Sequence, residues 1–231
     1  GRLIAEDGRV LIPLDDAAAG APSHSIHLKP LAEDALSLPV RTGKARVIGI
    51  EPASLVTKSL VREVNTDDAG CFQSALNPGL TKIAVIERHK RTGKLGIGIL
   101  EGYGLTGGAI ATTISHDSHN IVVAGDNDPD MLLAVRELAD MGGGIVSVHG
   151  GAIRRLPLPI AGLMTSADPQ EVNAVLHDML VAARAELGIP EDVEPFMTLS
   201  FMALPVIPEL KLTARGLFNV NTFSFVGVEA D

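Results

Sequence analysis

The sequence predicts an α+β fold: mixed β-sheets layered with a few α-helices, preceded by a separate N-terminal β-hairpin. Three observations predict it. From residue 82 onward, short apolar runs bounded by Gly-rich turns recur at strand length. Two longer segments between and after them carry helical spacing with polar caps. Near the start, Glu6-Asp7-Gly8 separates Leu3-Ile4-Ala5 from Val10-Leu11-Ile12, and Asp-Gly between apolar runs is a strong hairpin signal.

In chain order, residues 15–25 (Asp15-Asp16-Ala17-Ala18-Ala19-Gly20-Ala21-Pro22 and on) lack periodicity and read as a linker, dividing residues 1–25 from a main domain over 26–231. Arg46–Ile50 and Leu55–Val64 are strand-like, and residues 65–80 form a polar loop. Lys82–Glu87, Leu95–Leu100, Ala109–Ile114, Asn120–Ala124 and Ile145–Val148 are the next strands. The first helix is predicted to start with Asp128 as N-cap and Pro129 behind it, with Leu132, Val135 and Leu138 on one face and Gly142 past the end. The second starts at Asp168-Pro169, with Glu171 approximating a capping box. Its apolar positions Val172, Val175, Leu176, Met179, Leu180, Ala183 and Leu187 lead to Gly188 and Pro190. The glycines around Tyr103 and the run Gly142-Gly143-Gly144 suit turns rather than a phosphate cradle. The proline-rich runs 156–160 and 204–208 suit sheet edges or a docking surface.

The 231 residues are 46% apolar, enough for a sizeable core. No apolar run is long enough to span a bilayer. The net charge of −9, with dispersed Lys and Arg, argues against nucleic-acid binding, and no Trp and one Tyr leave no base-stacking platform. A single cysteine, Cys71, forms no internal disulfide and fits a reducing cytoplasm. The opening Gly1-Arg2-Leu3-Ile4, without initiator Met or signal peptide, is expected of a piece of a longer protein.

Chemistry concentrates in Ser115-His116-Asp117-Ser118-His119-Asn120, at the head of the apolar run 121–125, with Asp126-Asn127-Asp128 at its foot. Polar groups at both ends of a core strand are costly unless they bind something or pair with each other. In a strand end or loop, His116 and His119 are expected to point to opposite sides, and Asp117 and Asn120 to cap backbone groups. Glu87 and His89 would share a face and could reach the histidine cluster across the sheet; the competing reading is an ion pair of Glu87 with Arg88 or Lys90. Asp128 reads as a helix cap, and Asp126 has no simple structural explanation. His149-Gly150-Gly151 offers backbone donors, but no nucleophilic Ser motif accompanies it.

Several long runs resemble one family in the right order: Ile83–His89, Ser115–Asn120, Leu156–Met164, Pro195–Phe201 and Leu204–Thr213. They are similar to the C-terminal domain of microbial adenine deaminases, over roughly residues 26–228. Residues 1–14 resemble the strand pair that closes the small β-domain of amidohydrolases, a composite domain built partly from elsewhere. The resemblance implies a cytoplasmic hydrolase converting adenine to hypoxanthine and ammonia. It implies a dinuclear Mn or Fe site in a barrel that precedes this segment, and a homo-oligomer without nucleic-acid or membrane partners. No His-x-His metal pair occurs in the chain, and Ala214 stands where an acidic residue is expected. Candidate supporting catalytic residues are therefore His116, His119 and Glu87, with Asp117, Asn120 and Asp126 as candidate substrate-binding residues and no metal ligands. The alternatives are a non-catalytic assembly or ligand-binding domain of a metal-dependent amidohydrolase, or the same architecture serving another N-heterocycle deaminase or cyclic amidase.

Overall fold

The computed structural model describes residues 1–12 and 22–230. Most of the predicted linker, residues 15–21, lies outside them. The hairpin is present: β1 (Ala5–Glu6) pairs with β2 (Arg9–Val10) around a two-residue turn. Asp7 and Gly8 both take positive φ, +48° and +74°, as the turn that matches strand twist requires. From Pro22 the chain lies on the main domain, since the Pro22 carbonyl accepts from Ala161 N–H at 2.7 Å.

The main sheet has eight strands. In chain order they are β3 (Lys44–Ile50), β4 (Thr57–Glu63), β5 (Leu80–Ile86), β6 (Leu95–Glu101), β7 (Gly108–Thr112), β8 (Ile121–Gly125), β9 (Gly144–His149) and β10 (Ala152–Pro157). Their spatial order is β10-β9-β7-β8-β5-β6-β3-β4, antiparallel throughout except for β3 beside β6. β5, β7 and β8 are buried on both faces, which explains sequences that are apolar apart from Thr81, Lys82 and Thr112.

Alternation splits these strands between two cores. Ile83, Val85, Ile110, Val122 and Ala124 face one side. Ala84, Ile86, Ala109, Ala111, Ile121 and Val123 face the other, where α1 (Asp128–Asp140) lays Met131, Ala134, Val135 and Leu138 on them. The small residues Ala84, Ala109 and Ala111 leave room for that helix. The first side is covered by α2 (Pro169–Ala185), α3 (Pro195–Met202) and a three-stranded sheet of β11 (Leu210–Thr213), β12 (Gly216–Asn219) and β13 (Ser224–Val226). The result is a three-layered α+β domain.

Two helix details differ from expectation. The α1 cap is Asn127, whose side chain accepts from Asp130 N–H at 2.9 Å. Asp128 turns instead to the buried Lys82 ammonium, 2.6 Å away, because an ion pair there neutralises a charge held at the base of β5. The α2 cap is Asp168, accepting from Gln170 N–H, as its sequence suggests. Val175 on that helix is exposed rather than on the packed face. The first proline-rich run begins in β10, an edge strand, where missing donors cost nothing.

Candidate functional site

The strands β5 and β8 run antiparallel with Ile86 opposite Ile121, so the residues leaving β5 meet those entering β8. Glu87, Arg88 and His89 therefore lie beside Ser115–Asn120. Thr112 ends β7, and residues 116–118 turn the chain back toward β8.

That turn brings the two histidines together, contrary to the expectation that they diverge. His119 takes a φ of +47°, and its N–H returns to the Ser115 carbonyl. Reversal of the chain cancels the alternation that a straight strand would impose. The rings stand edge to face with centroids 5.8 Å apart. His116 also lies 4.5 Å from the Phe201 ring on α3, and its N–H donates to the Ser200 carbonyl at 2.9 Å. The apolar helix α3 thus holds the outer side of the loop.

The His119 tautomer follows from its bonds. Nδ1 accepts from Ser115 N–H at 3.3 Å, which leaves the proton of the neutral ring on Nε2. Burial, then the neighbouring His116 and Arg88, pushes the His119 pKa below the ordinary imidazole value; Asp117 pulls the other way. His119 is therefore a neutral donor through Nε2 near pH 7. Asp117 and Ser118 are exposed, and His89 reaches across to the Ser118 carbonyl through Nε2 at 2.8 Å.

Glu87 makes neither of the side-chain pairs considered for it. Its carboxylate accepts from the N–H groups of His89, Lys90 (2.7 Å) and Thr92 (3.0 Å) and from the Thr92 hydroxyl (2.7 Å). Burial alone would raise its pKa; these donors outweigh burial and carry it down to about 2. Four donors from one tight loop satisfy the carboxylate locally, so no cation is needed.

Arg88 is the buried charge of the site, 1% exposed. It bonds the carbonyls of His119, Ser25 and Ala161, and its pKa is lowered by burial. Asn120 accepts from Arg88 N–H through Oδ1 at 3.4 Å, so it joins the cluster from the position just before β8.

Asp126 is not brought to this cluster. It lies at the other end of β8, about 17 Å along a five-residue strand. Its carboxylate accepts from Gly107 and Gly108 N–H, the latter at 3.0 Å, and from the Asn127 amide at 2.9 Å. These bonds close the β6–β7 connection, a structural explanation that the sequence alone did not offer. A groove of about 630 Å³ between residues 28–33 and α1 contains none of the candidate residues. Among the described residues, no three His, Cys, Asp or Glu side chains converge as a metal site, so a dinuclear metal pair does not fit the side chains present.

Sequence reasoning missed Arg88 as the centre of the site. Its signal was weak: an arginine between Glu87 and His89, just past the apolar end of β5, reads as one member of a solvated charge run. It also missed α3, β10 and β11–β13, whose runs carry neither clean alternation nor a full helical repeat.

These residues define a three-layered α+β domain with a histidine turn at one end of its main sheet. The comparisons give the family. The profile described as the adenine deaminase C-terminal domain matches residues 54–224, and the chain belongs to that family. It is 57% identical over 229 residues to an adenine deaminase of Nitratidesulfovibrio vulgaris Hildenborough, covering 99% of this chain and 40% of that protein. It is 46% identical over 232 residues to adenine deaminase 2 of Carboxydothermus hydrogenoformans, and 43% over 235 residues to an adenine deaminase of Geobacillus kaustophilus. It spans 40% of the length of each.

Proposed function

We propose that this chain is the C-terminal part of an adenine deaminase, a hydrolase that takes adenine and water to hypoxanthine and ammonia. The observation that carries the reading is the 57% identity to a protein of that name across 99% of the chain. In this reading the dinuclear Mn or Fe belongs to a barrel outside these residues, and the enzyme acts in purine breakdown as a cytoplasmic homo-oligomer. No described helix is long and apolar enough to cross a membrane.

In the same reading, the role of this domain is carried by its own residues. The Ser115–Asn120 turn meets the purine as an accessory surface. His119 offers a neutral N–H through Nε2, matched to a ring nitrogen acceptor of a purine. His116, stacked on Phe201, adds a flat face for a planar ring, and Asp117 and Asn120 supply nearby acceptors and donors. Glu87 supports them by fixing the 87–92 loop from which His89 holds Ser118.

The test substitutes His116→Asn and His119→Gln in the full-length enzyme. Slower adenine turnover with unchanged folding and metal content is expected; unchanged turnover would leave the domain a scaffold. The isolated chain is expected to release no ammonia from adenine even with added manganese.

A further inference from the structure

A guanidinium excluded from water normally faces a carboxylate or phosphate, because an uncompensated charge is expensive to bury. Arg88 is 1% exposed, and among the described residues no carboxylate pairs with it. Neutral oxygens from three separate stretches of chain satisfy its fork. Nε donates to the His119 carbonyl, Nη1 to the Ser25 carbonyl (3.3 Å) and Oγ (3.1 Å), and Nη2 to the Ala161 carbonyl (3.0 Å). Gly162 forms the seat. A Cβ there would stand 2.9 Å from Nη1 and 3.1 Å from Cζ, so a flat guanidinium lies where any side chain would collide. The Thr113 hydroxyl pins that seat by donating to the Gly162 carbonyl at 2.5 Å.

An ammonium could reach one of these acceptors but not all three; the arrangement demands a rigid planar fork. Two of the three stretches carry no candidate chemistry. The third is the turn bearing His116 and His119, and Arg88 holds it at the carbonyl of the very residue whose ring is locked by Ser115.

We propose that Arg88 is a positioning residue: it fixes the His119 backbone, and through it the imidazole, against the Ser25 and Ala161 segments. The turn then meets the purine in a single orientation. This rests on the reading of the turn as purine-facing.

The experiment uses the full-length, metal-loaded enzyme with Arg88→Lys, Ser25→Ala, His119→Gln and the combinations of each of the first two with the third. Adenine kcat and KM, metal content, melting temperature and the His119 imidazole NMR resonances are measured. Arg88→Lys is expected to lower kcat roughly tenfold or more while KM changes about twofold at most, and to shift the His119 resonances. Ser25→Ala touches the guanidinium only on the side remote from the turn. It is expected to give the same changes in milder form, and carries the comparison if Arg88→Lys does not fold. Each double variant should be no slower than His119→Gln alone, because a missing ring cannot be misplaced. Losses that multiply, or His119 resonances that stay where they were, overturn the proposal while the purine-facing turn stands. Unchanged turnover in His119→Gln removes the purine-facing reading itself, and the role of Arg88 with it.

Discussion

The Lys82 ammonium, 2% exposed, lies 2.6 Å from the Asp128 carboxylate and 3.0 Å from the Leu36 carbonyl. It joins the middle of the sheet to the first turn of α1 and to the segment that precedes β3. Removing one partner of such a pair leaves a charge without compensation, which costs more than the pair contributes. Asp128→Ala is expected to destabilise the domain by about 3 kcal/mol. Replacing both residues, as Lys82→Met with Asp128→Leu, should recover most of that loss. Urea unfolding of the two variants makes the comparison; a double variant as unstable as the single one contradicts it.

Glu87 gives the domain an acid sensitivity. Its pKa falls from 4.5 to about 2 on folding, so its contribution is complete above pH 4.5. The contribution fades as pH drops from 4.5 toward 2, because the unfolded chain takes up the proton first. Glu87→Gln is expected to flatten the stability profile in that window and to loosen residues 89–92. Stability measured against pH for both proteins, with amide exchange of His89, Lys90 and Thr92, checks this.

His119 behaves in the opposite charge sense. Its depressed pKa means that, as pH falls through 6.5, the unfolded chain gains a proton that the folded turn resists. The turn is therefore expected to lose stability below pH 6.5, while the ring itself stays neutral to lower pH. An NMR titration that found His119 protonating above 6.5 would contradict the placement of its Nδ1.

Gly96 marks where the small sheet rests on the large one. A Cβ there would stand 2.0 Å from the Thr213 carbonyl and 2.9 Å from Gly216 N, both backbone atoms that cannot swing aside. Gly96→Ala is expected to cost several kcal/mol by lifting β11 and β12 from β6. The exposed Gly150, whose Cβ would meet nothing within 4 Å, serves as the control, with only the strain of its φ of +54°. Thermal unfolding of both variants separates the two effects.

Much of this fold is legible because each strand obeys a local rule. Runs such as Ile121–Gly125 are apolar at every position since helices or strands cover both faces, and Asp-Gly announces the first hairpin. Helix α3 escapes because Pro195–Met202 is only eight residues long and its two polar residues, Thr198 and Ser200, do not mark a polar face. At the site, the residues at the head of β8 stand out in the sequence, but their arrangement does not. Whether His116 and His119 converge depends on one turn at His119, and whether Asp126 joins them depends on the length of β8. The Arg88 contacts span 31 residues to His119, 63 to Ser25 and 73 to Ala161, distances over which no pattern in one sequence speaks.

The parallel neighbours β3 and β6 are in register only at Ile48–Leu100 and Gly49–Glu101, whereas β5 and β6 are matched over seven pairs. The sheet is in effect two antiparallel plates riveted at a short joint. Side chains lace that joint: Arg62 on the outer hairpin pairs with Glu101 at the end of β6, and Thr57 and Ser59 bond the Leu210 carbonyl and the Glu209 carboxylate, so the plates are held together where the ladder is shortest.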